Sequence, residues 1–419
     1  MPIEAASQTT EGHVYILYGN DDLNVGAGVT IRSTTTDAVT TWDGQHRITV
    51  SGTILGFDDG INMIGTTAAQ TVTINATGRI TTANDGSIVD ADGVILDGVG
   101  SVLTNAGVIN AQGSGVSLFV RDGATTTVTN SGTMTGIVAG VWNKFGSGTL
   151  NFTNTGTVES PSFAFLGGLG SDNVVNKGTL RGAVSLGDGN DSYDGRGGRV
   201  FGAIDGGTGD DRFILGNYAE AINGGYGDDT LDFSRLTTGI AVNLGNAAAN
   251  TATVVKGDTF TSIEILVGTA YRDTLTGDAM NNTLRGGGNV DVLNGGAGDD
   301  VLEGGTGKDT LTGGAGGDVF VFRAYNERTD VITDFDANAD HILLEGTAFG
   351  YGVYAGIVAA ADFVTSTTSA ALDASDRFIF RTTDQTLWFD ADGRGGVSSV
   401  LLADLQAGAT LNAGHLLII

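Results

Sequence analysis

The sequence contains no cysteine, so it can form neither a disulfide nor a thiolate metal site. Any stability it has outside a cell must come from something other than disulfides. Basic residues are scarce. There are 20 Lys+Arg against 48 Asp+Glu, a formal charge of −28, and the only lysines are Lys144, Lys177, Lys256 and Lys308. The basic footprint that nucleic acid requires is missing, and anionic membrane surfaces are disfavoured for the same reason. No apolar run approaches the roughly 18 residues of a membrane helix, so no membrane insertion is expected. Met1 to Tyr15 lacks a basic n-region and an apolar h-region, so a cleavable signal peptide is not expected either. There is no HExxH metal-hydrolase motif and no GxSxG nucleophile elbow.

Glycine is abundant, at 69 of 419 residues, more than twice the roughly 7% of ordinary proteins. Disordered chains share the acidity and the glycine but lack hydrophobic residues. Here 40% of residues are hydrophobic and evenly spread. The chain can therefore bury a core, and its length allows two or three domains. A compact state of this charge repels itself, and bound cations would relieve the repulsion.

From Gly268 the sequence falls into six contiguous nonapeptides: GTAYRDTLT, GDAMNNTLR, GGGNVDVLN, GGAGDDVLE, GGTGKDTLT and GGAGGDVFV. The sixth position holds Asp273, Asn282, Asp291, Asp300, Asp309 and Asp318. The eighth holds Leu275, Leu284, Leu293, Leu302, Leu311 and Phe320. A looser upstream set contains GGTGDDRFI from Gly206 and GGYGDDTLD from Gly224, with Asp211 and Asp229 in the sixth place. Between them LGNYAEAIN is a degenerate copy with Glu220 in the acidic place, and LGDGNDSYD adds Asp191. The glycines suit turns with φ > 0. The following D-x-U-x is a short strand whose eighth residue points inward. Two blocks complete one coil, so blocks two apart stack. That aligns Asp273, Asp291 and Asp309 on one edge, and Asn282, Asp300 and Asp318 on the other. Carboxylates stacked about 4.8 Å apart need a cation between layers. Six to eight oxygens at about 2.4 Å suit Ca²⁺; without Cys and with few His, zinc and copper fit poorly.

These blocks match GGxGxDxUx and so resemble the RTX family, the haemolysin-type calcium-binding repeat. The resemblance implies a parallel β-roll holding several Ca²⁺ ions through sixth-position aspartates and turn carbonyls. The residues it picks out are Asp191, Gly207, Gly209, Asp211, Gly225, Gly227, Asp229, Asp273, Gly287, Asp291, Gly296, Gly298, Asp300, Gly305, Gly307, Asp309, Gly314, Gly316 and Asp318. Asn282 and Glu220 depart from the pattern. GTAYRD and GDAMNN lack the glycine pair, so weak or absent binding is expected in those layers. The stretch 232–268 looks like a spacer common in such proteins, and its alternation reads as strands.

The N-terminal half repeats N-x-G-x-U, in NAGVI (Asn105 to Ile109), NSGTM, NTGTV and NKGTL. Gly-to-Gly steps from Gly52 are 26, 29, 25, 24 and 22 residues. That period suits one coil of a right-handed parallel β-helix with three short strands. Asn before Gly is expected to supply a left-handed turn residue and to hydrogen-bond along the stack. Residues 4–15 read as either a short capping helix or, through HVYILY, a strand.

The expected fold is all-β, a β-solenoid in which a β-helix continues into a calcium-binding β-roll with a β-rich C-terminal cap. Its parts are an N-terminal cap with first strands (1–48), a parallel β-helix (49–185), β-roll segment 1 (186–232), spacer strands (233–267), β-roll segment 2 (268–322) and a cap with secretion-signal region (323–419). The cap resembles the region that follows β-rolls in type I secreted proteins, where the uncleaved C-terminus carries the export signal. That implies a secreted protein whose partners are calcium, a type I exporter and a cell-surface polysaccharide or another surface protein. A structural or adhesive role stands beside an alternative, a polysaccharide-active enzyme built on the β-helix. For the alternative, the candidates are Asp58 with Asp59, Asp90 with Asp92, Arg121 with Asp122, His46 with Arg47, and Trp42, Trp142 and Trp388 for stacking on sugars. Such pairs are commonly solvated turns, and no catalytic residue is assigned.

Overall fold

The computed structural model describes residues 2–64, 68–83, 90–216, 218, 220–250, 255, 257–324, 327, 329–349 and 355–419. Lys256, part of the spacer (251–254) and two positions of the degenerate block (217 and 219) lie outside the described residues. The protein is a parallel β-solenoid built as two compact units, Met1–Asp229 and Thr230–Ile419.

Coils in the first unit follow from the sequence's alternation. Short strands put every second residue inside, and inner residues of successive coils stack. One column runs Leu23, Ile48, Val72, Leu103, Val128, Phe152, Val174, Tyr193 and Phe213. A second runs from Ile31 and Ile54 through Ile80, Ile109, Met134 and Val158 to Leu180 and Val200. A third runs from Val39 and Ile61 through Val94, Val116 and Val141 to Phe165, Val184, Ile204 and Ile222. Three columns give three strands per coil. The segment left open at 4–15 is strand, with Ile3–Glu4, Gln8–Thr10 and Tyr15–Leu17 joining the ladders.

The three-sided coil flattens within this unit. Thr157–Leu166 is one ten-residue strand carrying both Val158 and Phe165, and Thr179–Asp188 likewise carries Leu180 and Val184. Two sides merge, and the coil shortens. Val128 faces Phe152, 24 residues on, whereas Ile204 faces Ile222, 18 residues on.

A ladder of buried asparagines runs along one corner. Asn105 donates to Asn130 Oδ1 at 2.8 Å, Asn130 to Asn154 at 2.8 Å, and Asn154 to Asn176 at 2.9 Å. Each is 0% exposed. The stacking bonds expected of these residues are present, but the left-handed backbone is not: none of the four has a positive φ. They end strands, and each Oδ1 accepts the N–H of the glycine two residues on. Asn130→Ala orphans buried groups in two neighbouring layers, each at about 1–3 kcal/mol. A fall in Tm of roughly 6–12 °C is expected. The same change at Asn151, which lies in an exposed pair with Asn173, should shift Tm by less than about 2 °C.

The second unit has two inner columns. One is Leu231, Leu266, Leu284, Leu302, Phe320, Ile342 and Leu416. The other is Val242, Leu275, Leu293, Leu311, Ile332 and Leu405. None is more than 3% exposed. The spacer supplies Ala241–Asn243 and Ile265–Val267, which pair with repeat strands. The roll also runs on into 323–419 through Asp330–Ile332 and His341–Leu344. Phe378–Arg381, Thr386–Phe389 and Val400–Leu405 pair antiparallel, and Leu416–Ile418 lays the hydrophobic C-terminus on His341–Leu344.

Candidate metal centre

In the second unit the repeat strands start at the seventh residue of a block and run through the glycine pair of the next, as in Val292–Ala297 and Val301–Thr306, so the sixth residue immediately precedes a strand. In the second unit Asp273 N–H donates to Asp291 Oδ1 at 2.8 Å, Asp291 to Asp309 at 2.8 Å, and Asp309 to Asp330 at 2.9 Å. On the other edge Asn282 donates to Asp300 at 2.7 Å, Asp300 to Asp318 at 2.9 Å, and Asp318 to Asp340 at 2.8 Å. The first unit repeats this from Asp172 to Asp191 at 2.6 Å, Asp191 to Asp211 at 2.8 Å and Asp211 to Asp229 at 2.8 Å. All twelve side chains are at most 3% exposed.

One carboxylate oxygen of each aspartate thus binds backbone, and the other faces the turn. Oδ2 of Asp191, Asp211, Asp291, Asp300 and Asp309 is buried without a hydrogen-bond donor. The space beside it depends on the first glycine of the block. A Cβ on Gly206 would lie under 3.0 Å from both Asp211 Oδ2 and Gly224 O. The same holds for Gly286 with Asp291 and Gly304 O, and for Gly295 with Asp300 and Gly313 O. Carboxylate and next-layer carbonyl therefore converge where no side chain intrudes. Gly207, Gly209, Gly225, Gly227, Gly287, Gly296, Gly298, Gly305, Gly314 and Gly316 all have φ between 87° and 147°, the region L-residues avoid. Gly307 is not among them; its constraint is the close approach of Asn289 O.

Without a cation these carboxylates are poorly solvated. Burial, with neighbouring carboxylates adding to it, raises Asp191 to about 8 and Asp211, Asp291 and Asp300 to about 7, against the lowering effect of the ladder N–H. Burial also raises Asp309 and Asp172 to about 6 and Asp330 to about 8. Orphaned acidic oxygens beside carbonyls are a hard-oxygen donor set, which fits Ca²⁺.

Two blocks close themselves with protein bonds. Asp273 Oδ2 takes the Thr269 N–H at 2.6 Å, and its Oδ1 takes the Thr269 hydroxyl at 3.1 Å. Asn282 accepts from Asp278 N at 2.8 Å and donates to Ile263 O at 3.0 Å. These are the layers whose glycine pair is replaced, so Asp273 does not offer the free oxygen of its neighbours.

Asp172, Asp330 and Asp340 continue the ladders beyond the sites read from sequence. Residues 167–175 spell GGLGSDNVV, a full block that identifies Asp172. Asp330 and Asp340 sit 21 and 22 residues after their predecessors, which hides them from an 18-residue search. An outer ladder at the fifth position was also missed. Asp210 N–H donates to Asn190 Oδ1 at 3.0 Å and Asp228 to Asp210 at 3.0 Å.

The model of the RTX calcium-binding nonapeptide repeat, four copies, matches this chain at residues 259–293, 267–302 and 285–320. These residues are RTX repeats. Repeats of this type bind calcium in general, and the donor set of this ladder fits that ion. No curated protein matches the chain. The RTX match covers part of the second unit; the first unit's ladder has the same N–H to Oδ1 bonds.

The candidates for sugar chemistry do not assemble into one site. Asp90 and Asp92 are held by Lys144 Nζ at 2.9 and 3.0 Å, with Trp142 4.7 Å from the same ammonium. Arg121 pairs with Asp97 at 2.7 Å rather than with Asp122. His46 is fully buried, with its ring nitrogens against the carbonyls of Asp21 and Asp43. Asp58 and Asp59 lie with Asp37, their oxygens within 4.8 Å of one another. Trp42 is exposed, and Trp388 donates to Thr386 Oγ1 at 2.8 Å.

Proposed function

We propose that this is an exported protein whose roll folds when it meets calcium outside the cell. The observation that carries the reading is the set of buried Asp Oδ2 atoms without donors, stacked in columns. Asp191, Asp211, Asp229, Asp291, Asp300, Asp309 and Asp318, with carbonyls of the glycine turns, would hold several ions. The ion supplies positive charge between layers of carboxylate. In the cytosol calcium is scarce and the chain stays open. Outside, near-millimolar calcium fills sites of the roughly 10⁻⁴–10⁻³ M class. Each site at ten times its Kd adds about 1.4 kcal/mol, and several together decide folding. Among the described residues no helix is long and apolar enough to cross a membrane.

We assign the protein a structural or adhesive role at a surface or in a matrix. On the outer face of the first unit Thr49, Thr73, Thr104, Thr129 and Thr153 stand in register. That is a regular hydroxyl-bearing surface suited to polysaccharide or protein contact. The enzyme reading loses support because Lys144 and Arg121 are already spent in ion pairs.

Export is the test. In a cell with a type I exporter, deleting residues 390–419 should abolish release. Leu405→Asp breaks the cap but leaves the C-terminus in place, and it should still be released, because export precedes folding. Normal release of the truncated chain would contradict the reading.

A further inference from the structure

We infer that Arg181, Arg199, Phe201 and Tyr218, on the outer face of the first unit, form a docking site for an acidic polysaccharide. The inference rests on the surface role proposed above and gives that role a ligand.

In a chain with 20 basic residues against 48 acidic ones, an arginine ordinarily finds a carboxylate. Arg121, Arg196, Arg323 and Arg381 each do so. Arg181 and Arg199 form no ion pair with any described residue, although Glu159 stands in register with Arg181. They stack on rings instead. The guanidinium carbon of Arg181 lies 4.4 Å from the centre of the Phe201 ring. That of Arg199 lies 4.1 Å from the same ring and 5.4 Å from Tyr218. Both arginines are exposed, and both rings are 47% exposed.

The strand pattern makes this cluster. Val200 points inward, so Arg199 and Phe201 share the outer face. The Phe201 N–H donates to Leu180 O at 2.9 Å, which sets Phe201 beside Arg181 of the preceding coil. A ring holds a guanidinium by its face and leaves the in-plane N–H donors unused, whereas a carboxylate would occupy them. Phe201 thus keeps two like charges side by side. They repel each other, and an anion relieves the repulsion. A carboxylate does so with two parallel hydrogen bonds to the guanidinium fork.

The surroundings select the polymer. Thr133, Thr157 and Thr179 stand in register with Arg199 in successive coils. A column of hydroxyls therefore leads along the solenoid to the arginines. An extended sugar chain that carries both hydroxyls and carboxylates matches both parts of this track. Nucleic acid would need a wider basic footprint. The net charge of −28 does not forbid an acidic ligand, because charges farther than about 8 Å are largely screened at physiological salt.

The test is binding of a galacturonate hexamer to the full-length chain by isothermal titration calorimetry, at fixed calcium, with a neutral galactose hexamer as control. The acidic hexamer should bind, more weakly as salt rises, and the neutral one should not. Arg181→Gln and Arg199→Gln should each weaken binding roughly fivefold. Arg47→Gln removes the same charge from a different sheet and should change nothing. These side chains are exposed, so the variants should keep the parent's Tm within about 2 °C. Equal affinity in all the variants, or no binding of the acidic hexamer by the parent, would overturn the inference. So would salt-sensitive self-association lost in Arg199→Gln without sugar binding, which would give the site to a second copy of this chain. Release from the exporting cell should be the same in every variant. A parent that is not released would count against the surface role and leave the binding result standing.

Discussion

Chelated protein should hold more of its roll at pH 5 than at pH 8.5, the reverse of its behaviour in calcium. The ladder aspartates of the metal-free fold ionise at about 6 to 8, against roughly 3.9 in an unfolded chain. Groups raised on folding stabilise the fold fully below the unfolded pKa. That stability is lost as pH rises through the folded values, here between about 4 and 8. A tenfold gain in a carboxylate's proton affinity on folding is worth about 1.4 kcal/mol. The neighbours are coupled, so the sum falls short of additive, yet several kcal/mol are a large part of a domain's roughly 5–15 kcal/mol. A proton thus stands in for the ion. Calcium requires the ionised form, so its affinity should weaken as pH falls below about 7. Asp300→Asn separates this from overall charge, because it fixes the protonated shape at one rung. In chelator at pH 8.5 it should be more stable than the parent, and in saturating calcium less stable. Melting curves of both proteins in both conditions provide the check. A chelated parent that gains structure as pH rises would contradict this account of the ladder.

Two glycines seven residues apart should respond unequally to alanine. A Cβ on Gly295 would meet Asp300 Oδ2 and Gly313 O under 3.0 Å, whereas one on Gly288 finds nothing nearer than 3.4 Å. Neither has a positive φ, so the contrast is steric. Overpacking costs about 1–3 kcal/mol, and loss of one ion at ten times its Kd about 1.4 kcal/mol. In calcium, Gly295→Ala should lower the Tm of the second unit by roughly 6–12 °C and remove one bound ion. Gly288→Ala should change Tm by under about 2 °C and the ion count not at all. Equal responses would mean that the first glycine is not there to keep the corner open.

The roll was legible because its period is constant. Blocks of nine place Leu275, Leu293 and Leu311 in one column and Leu284, Leu302 and Phe320 in the other, as the structure has them. Where the step lengthens, the pattern disappears though the ladder does not. Asp330 and Asp340 keep the same N–H to Oδ1 bonds across steps of 21 and 22 residues. The bond depends on strand register, and the extra residues are absorbed in the turns. The asparagine ladder was legible from N-x-G, but not its backbone, since a side-chain bond to the following glycine leaves the residue free to remain in the strand. The merging of two strands into Thr157–Leu166 has no motif at all. Nor does the buried Asn143, whose Nδ2 reaches Asp172 Oδ2 of the coil 29 residues on at 3.5 Å.

Whether calcium drives folding is tested most directly by titrating metal-free protein at neutral pH, followed by far-UV circular dichroism, with Mg²⁺ as control. The expected result is a cooperative gain of β signal with calcium alone. Full β signal in excess chelator, unchanged when calcium is added, would mean that the ladders fold without the ion, and coupled folding would be wrong.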